Sequence, residues 1–227
     1  MAISKGAKRT DGLESADQVK MVVEEIAKKS QTVADLFLIG VETQLRGVDL
    51  RSWRWDELDI GSKVLRITQD KTKEAVEVEL TETAREVLKA RYNERGDNVH
   101  VFQNDSNRSR GKPISRSKIH VEIQYAVDKL KMQKLLPQDA VISMHSARKT
   151  VATIAHNNNE DLEVISKMLG HRSTEHTRAY LGITQAKVDA LRTKYSTGIK
   201  RGTRVIPPFL TEVINRIRSC VEYAASA

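Results

Sequence analysis

Cysteine is almost missing from this chain of 227 residues: Cys220 stands alone. One thiol cannot close an internal disulfide, and no Cys/His spacing of the structural-zinc kind accompanies it. A reducing, cytoplasmic setting is the expectation. Also lacking is any run close to the roughly 20 apolar residues that a membrane span requires. The opening MAISKGAKRTDG has no apolar segment of the secretory type. No internal repeat or low-complexity tract is evident. What is plentiful is charge, with 38 basic against 30 acidic residues and a net charge of +8. Apolar residues at 39% and charged residues at 30% suit a globular protein. The basic excess suits a polyanionic partner, nucleic acid being the simplest.

Periodicity then divides the chain. Residues 1–14 read as a flexible basic arm. Ser15-Ala16-Asp17-Gln18 is a capping-box pattern, and Val19, Val22, Val23 and Ile26 follow at helical spacing, which predicts a helix over 16–29. Val33 to Val41 reads as a buried helix that leads into TQLRGVDLRSWRW. KVLRIT (63–68) and AVEVEL (75–80) alternate with period two around QDKTKE, the mark of a β-hairpin. Further helices are expected at about 81–95, 117–134, 146–157, 160–169, 173–181 and 184–195, with Gly170 as a C-cap. The segment STGIKRGTRVIPP (196–208) reads as a linker. After it, Phe209, Leu210, Val213, Ile214, Ile217 and Val221 share one face of a last amphipathic helix. The fold class is mainly α with a small antiparallel β-sheet, an α+β domain over 15–196.

Several residues can carry chemistry, though each is weak alone. In MHSARKT, His145 and Arg148 stand three apart and so share a helix face. One offers a switchable proton and the other a planar fork that matches phosphate oxygens. Arg46 precedes a short helix with Asp49 one turn on. Lys71 sits at the predicted hairpin tip, a mobile mount for a group that must reach a substrate. In LGHRSTEHTRAYL, His171 and Tyr180 lie nine apart. Alone, HxxR is a solvated pair, Arg46–Asp49 a structural ion pair, and Tyr180 a packing residue. Together they suit one task, attack on a DNA phosphodiester without a metal or other cofactor. Arg46 and Arg148 can hold the charge of the five-coordinate transition state. Lys71 can protonate the leaving sugar oxygen. Tyr180, whose ordinary pKa is about 10, can lose its proton with help from His171 and the surrounding cations. The polar loop 103–118 adds Arg108, Arg110, Lys112, Arg116 and Lys118, which are expected to track the DNA backbone.

In TQLRGVDLRSWRWDEL, QDKTK, HSARKT and LGHRSTEHTRAY, taken in that order, the chain resembles the catalytic domain of the tyrosine recombinases, the phage integrase family. The resemblance covers about residues 16–195. It implies a mainly helical domain with a small sheet, and catalytic roles for Arg46, Lys71, His145, Arg148, His171 and Tyr180. In that family the tyrosine joins the 3′-phosphate of the cut strand and frees a 5′-hydroxyl. A partner strand's hydroxyl then reverses the step, usually within a tetramer on double-stranded DNA. Neither ATP nor a metal is needed. By resemblance, Asp49 orients Arg46, and His176 is a secondary residue of the site. The same likeness implies a nucleoid-associated protein of bacterial, phage or mobile-element origin, a monomer or weak oligomer away from DNA.

Two departures from the pattern stand out. Ser146-Ala147 occupies a place where the family more often has an acidic or polar residue and Leu. Only some fifteen residues precede the first helix, where most members carry a separate helical domain of about a hundred. The final segment, 197–227, fits exchange with a neighbouring subunit and equally fits docking back onto its own domain. The competing activities are a type IB topoisomerase-like nicking and resealing, and DNA binding without catalysis.

Overall fold

The structure, a computed structural model, describes residues 9–68, 75–103, 111–171, 173–183 and 194. In order along the chain come α1 (Ala16–Ala27), α2 (Gln31–Thr43), α3 (Gly47–Arg51), a 3-10 turn (Trp55–Glu57), β1 (Val64–Thr68), β2 (Ala75–Glu79), α4 (Glu82–Glu94), α5 (Arg116–Met132), α6 (Met144–Asn157), α7 (Leu162–Met168) and α8 (Thr174–Leu181). Chain contacts divide the protein into residues 1–184 and 185–227, and all these elements belong to the first unit. The expected helix 184–195, linker 196–208 and final amphipathic helix lie outside the described residues, Lys194 apart. The hairpin tip with Lys71 and the loop with Arg108 and Arg110 lie outside them too.

Local signals start the helices where the sequence predicts. Ser15 Oγ accepts from the Gln18 N–H and opens α1, while the Gln18 side chain accepts from the Glu14 N–H at 2.8 Å. Ser30, Thr81 and Ser115 cap α2, α4 and α5 in the same way. The alternating segments form an antiparallel pair with Val64 opposite Glu79 and Thr68 opposite Ala75. Leu65 and Ile67 of β1 face the core and their neighbours face solvent, as period two requires.

Helix α2 is the centre of the unit. It packs against α1, α3, α4, α5 and α6, and Val33, Ala34, Leu36, Phe37 and Ile39 have no exposed surface. Its close approach to α6 needs small residues on both sides. A Cβ on Gly40 would stand 2.6 Å from Met144 Cε and 3.1 Å from Ala147 Cβ. This accounts for Ala147, where Leu is the commoner choice: a longer side chain there would push α6 off α2. Ser146 also has a reason. Its Oγ accepts from the Ser143 N–H at 3.0 Å and completes a capping box, so α6 begins at Met144, two residues before the expected start.

A second, smaller apolar cluster holds Ala152, Ile165 and Leu169, with Tyr180 and Leu181 packed against it. Helix α8 therefore rests on a far smaller apolar base than α2 does.

Candidate functional site

Four elements bring the predicted residues together. Arg46 occupies the N-cap position of α3 and is half-buried. Its placement depends on the neighbouring glycine, because a Cβ on Gly47 would lie 2.5 Å from Met144 Cγ. The first turn of α6 thus seats directly against the start of α3, which carries His145 and Arg148 toward Arg46. Helix α7 ends in a Schellman motif. The Gly170 N–H donates to Lys167 O at 2.9 Å and the His171 N–H to Ser166 O at 3.0 Å, with Gly170 at φ +64°. That turn delivers His171, and α8 then delivers Tyr180.

Arg148 is the joint of the site. It is 7% exposed, and its guanidinium donates through Nη1 to Gln44 O at 2.7 Å and through Nη2 to Leu169 O at 2.8 Å. One side chain therefore ties the C-terminal end of α2 to that of α7. Gln44 can present its carbonyl because it takes a left-handed conformation, φ 51°, at the end of α2. Burial lowers the Arg148 pKa, with Arg46 acting in the same sense, while Tyr180 and the buried carboxylate of Asp49 oppose. The resemblance implied that Asp49 serves Arg46, but its charge also reaches Arg148.

Tyr180 sits among rings and cations. The His171 ring meets it edge-on at a centroid distance of 5.1 Å, and the His145 ring does so at 5.8 Å. Its hydroxyl is buried beside the Arg148 guanidinium, an approach that favours the ionised form but falls short of a regular hydrogen bond. Burial pushes the phenol up to about 12, against the pull of Arg148 and Arg46. His145 is exposed at the rim. Its imidazole is nonetheless pushed down to about 4, first by partial desolvation and then by Lys149, Arg148 and Arg46. His171 is lowered as well, by desolvation and then by Arg148, His176 and Arg46. Its Nδ1 shares a 2.9 Å hydrogen bond with the buried Thr177 hydroxyl. When Thr177 donates, the imidazole proton sits on Nε2. Cations thus outnumber anions here, and both imidazoles stay neutral at pH 7 until a negative charge arrives.

The remaining predicted residues divide. His176 is exposed and pairs with Ser173 Oγ at 2.9 Å, adding its charge to His171 from a distance. Arg178 pairs with Glu175 on the surface of α8. A groove of about 470 Å³ opens beside the site, with Arg46, Arg51, Arg116, His120 and His145 in its walls. Arg116 and the half-buried Lys118 start α5, and Lys112 is exposed just before it. Sequence reasoning missed Arg51 and His120. His120 lies four residues after Arg116 on one helix, a spacing that places both on one face. It also missed Thr177 and Lys149. The Lys149 ammonium lies 4.9 Å from the Tyr180 ring centroid and is 5% exposed. No spacing rule signals either.

Comparison with known proteins gives the family and the fold. Residues 15–187 match the family model described as the phage integrase family, and the chain belongs to that family. A probable integrase/recombinase protein of Methanocaldococcus jannaschii is 25% identical over 172 residues, 73% of this chain and 51% of that protein. The chain thus spans about half the length of this curated relative. Among solved structures, XerA recombinase superposes with a TM-score of 0.58 at 20% identity, over 86% of this chain and 68% of that one. The Tn1549 transposon integrase in complex with transposon right end DNA gives 0.64 at 16%, over 85% and 67%. A lambda integrase dimer bound to a core site gives 0.58 at 17%, over 79% and 50%. The fold is that of the tyrosine recombinase catalytic domain, helix-rich with a small two-stranded antiparallel sheet. Among the described residues no helix is long and apolar enough to cross a membrane.

Proposed function

We propose that this chain is a site-specific DNA recombinase that cuts and rejoins strands through a 3′-phosphotyrosyl intermediate on Tyr180. The observation that carries the reading is the buried Tyr180 hydroxyl, with both histidines at its ring and the Arg148 guanidinium beside it, close enough to act on its ionisation. A buried polar group normally finds well-aligned partners, and the phosphate of a bound duplex would give Tyr180 and Arg148 an anion to share. Its arrival lowers the cost of losing the phenolic proton, because Arg46 and Arg148 then serve one anion between them. It also raises both imidazole pKa values, so that His145 and His171 become donors to the non-bridging oxygens.

In the reaction, Tyr180 Oη gives up its proton to solvent water and attacks phosphorus, the bond to the 5′-oxygen breaks, and that oxygen takes a proton from Lys71. The free 5′-hydroxyl of a second duplex attacks the phosphotyrosine and returns the electrons to Tyr180. One phosphodiester replaces another, so neither ATP nor a metal enters. The partner is double-stranded DNA, held by Arg116, Lys118 and Lys112 with Arg108 and Arg110. A tetramer on DNA performs two rounds of exchange. Residues 205–227 pass to a neighbouring subunit, and their deletion should lower the assembled mass in light scattering on DNA. An unchanged mass removes the exchange from the scheme.

The test of the chemistry is covalent trapping. Wild type and Tyr180→Phe are mixed with negatively supercoiled plasmid in EDTA and quenched with detergent. Protein-linked DNA from wild type alone supports tyrosine chemistry, and an adduct that survives Tyr180→Phe overturns it. Products that have lost supercoils without exchanging partners favour the topoisomerase-like reading.

A further inference from the structure

The part of the chain just before the family match is built into the site. Residues 9–14 lie at the end of the expected flexible arm, yet they are fastened along α6. The Asp11 N–H donates to Val141 O at 2.8 Å, and Asp11 Oδ2 accepts from the Val141 N–H at 2.8 Å. The Leu13 N–H donates to Thr150 Oγ1 at 3.2 Å. Gly12 runs so close that a Cβ there would stand 2.2 Å from Thr153 Oγ1. The path of this strap is therefore set residue by residue, and the family match begins only at residue 15.

Two contacts run from the strap to Tyr180. The Arg9 guanidinium donates through Nη2 to Tyr180 O, a last-turn carbonyl of α8 with no partner inside its own helix. A cation at this end of a helix also opposes the macrodipole. Gly182 follows at φ +77°, and a Cβ on it would come within 3.1 Å of Arg9 Nη1. Lys149, on α6, donates to Thr10 O at 2.7 Å while its ammonium lies against the Tyr180 ring. The charged or titratable groups around Lys149 are Arg9 and Asp11 from the strap and the neutral His145 on its own helix.

We infer that Arg9 and Lys149 are positioning residues for Tyr180: the strap fixes the backbone of the nucleophile's turn, and Lys149 fixes its ring. The inference rests on the reading of Tyr180 as nucleophile. The need for such ties follows from the packing. Thr177 is the one fully buried residue of α8 among those described, and the apolar base under it is small. In-line attack tolerates little wander of the attacking oxygen, since a displacement of about 1 Å can cost roughly a hundredfold in rate. A cation against an aromatic ring also favours the electron-rich form that the phenol must approach.

The variants are Arg9→Ala, a surface change that leaves the core intact, Lys149→Met, which keeps the aliphatic stem, and Lys149→Arg. Rates of adduct formation at saturating plasmid, DNA affinity and thermal melting are measured for each. Arg9→Ala and Lys149→Met are expected to slow adduct formation by roughly ten- to a hundredfold with affinity and melting little changed. Lys149→Arg should recover much of the loss. Wild-type rates in the first two variants overturn the inference. If wild type itself forms no adduct, the tyrosine chemistry fails and the strap is judged on the protein alone. The NMR resonance of the Tyr180 phenolic carbon should then shift in Arg9→Ala and Lys149→Met and return in Lys149→Arg, and an unmoved resonance overturns the inference by itself.

Discussion

Replacing Arg148 by Met separates the structural weight of that residue from its chemistry. Met keeps the stem and removes the guanidinium, which strands the carbonyls of Gln44 and Leu169 that it holds at 2.7 and 2.8 Å. Hydrogen bonds from a charged donor contribute about 1.5–3 kcal/mol each, which puts the gross loss at about 3–6 kcal/mol. Burial works the other way, because the site disfavours the cation and lowers its pKa, and removing the charge relieves that cost. The expected net loss is about 2–4 kcal/mol, and for a domain of this size it lowers the melting temperature by roughly 5–15 °C. Arg148→Lys should fall between the two, since an ammonium keeps the charge but cannot fork between two carbonyls. Thermal melts followed by circular dichroism read the difference, with phosphate added in a second series. Phosphate should raise the melting temperature of wild type more than that of Arg148→Met. A Met variant that melts with wild type would refute the view that Arg148 joins α2 to α7.

Tyr180→Phe should melt within about 1 kcal/mol of wild type, because the buried hydroxyl it removes has only the imperfectly aligned Arg148 guanidinium beside it; a urea melt that shows a larger loss would mean the hydroxyl is firmly bonded. His145 gives a pH dependence. Its pKa is about 4 in the folded chain, through desolvation first and the neighbouring cations second, against about 6.5 in an unfolded one. As pH falls through that window the unfolded chain takes up a proton that folded His145 refuses, so stability drops. Urea melts at stepped pH should show a shallower drop for His145→Gln, and an identical slope would place the acid sensitivity elsewhere. Arg116→Ala and Lys118→Ala should each reduce the salt slope of DNA binding by about 1, equally across sequences. A change confined to one sequence would assign that residue to base contact instead.

The helix starts were legible because they are local. Ser15, Ser30, Thr81 and Ser115 each act on an N–H three residues away, and the apolar stripes of α1 and α2 repeat within a few turns. The same holds for the hairpin alternation and for Gly170, whose positive φ ends α7. The start of α6 was set two residues late because Ser143 and Ser146 do not form the commoner Ser–Glu box, although the reciprocal bonding is the same.

Within the site, the residue types and the three-residue spacing of His145 and Arg148 were enough to suggest phosphate chemistry. That they meet Arg46, His171 and Tyr180 was implied only by resemblance, and the reason is tertiary. It lies in Gly40 and Gly47 making room for Met144, and in one guanidinium spanning the ends of two helices. Lys149 and the strap at Arg9–Leu13 left no mark in any periodicity, because their partners stand far along the chain, and Thr177 meets His171 only across the turn between α7 and α8. Arg9 meets Tyr180 across 171 residues and Lys149 meets Thr10 across 139. Sequence by itself determined which segments are helices and which side chains can handle an anion. Only the packed fold decided which of those charges surround Tyr180, because charges so far apart in the chain act on one another only after the core has brought their helices together.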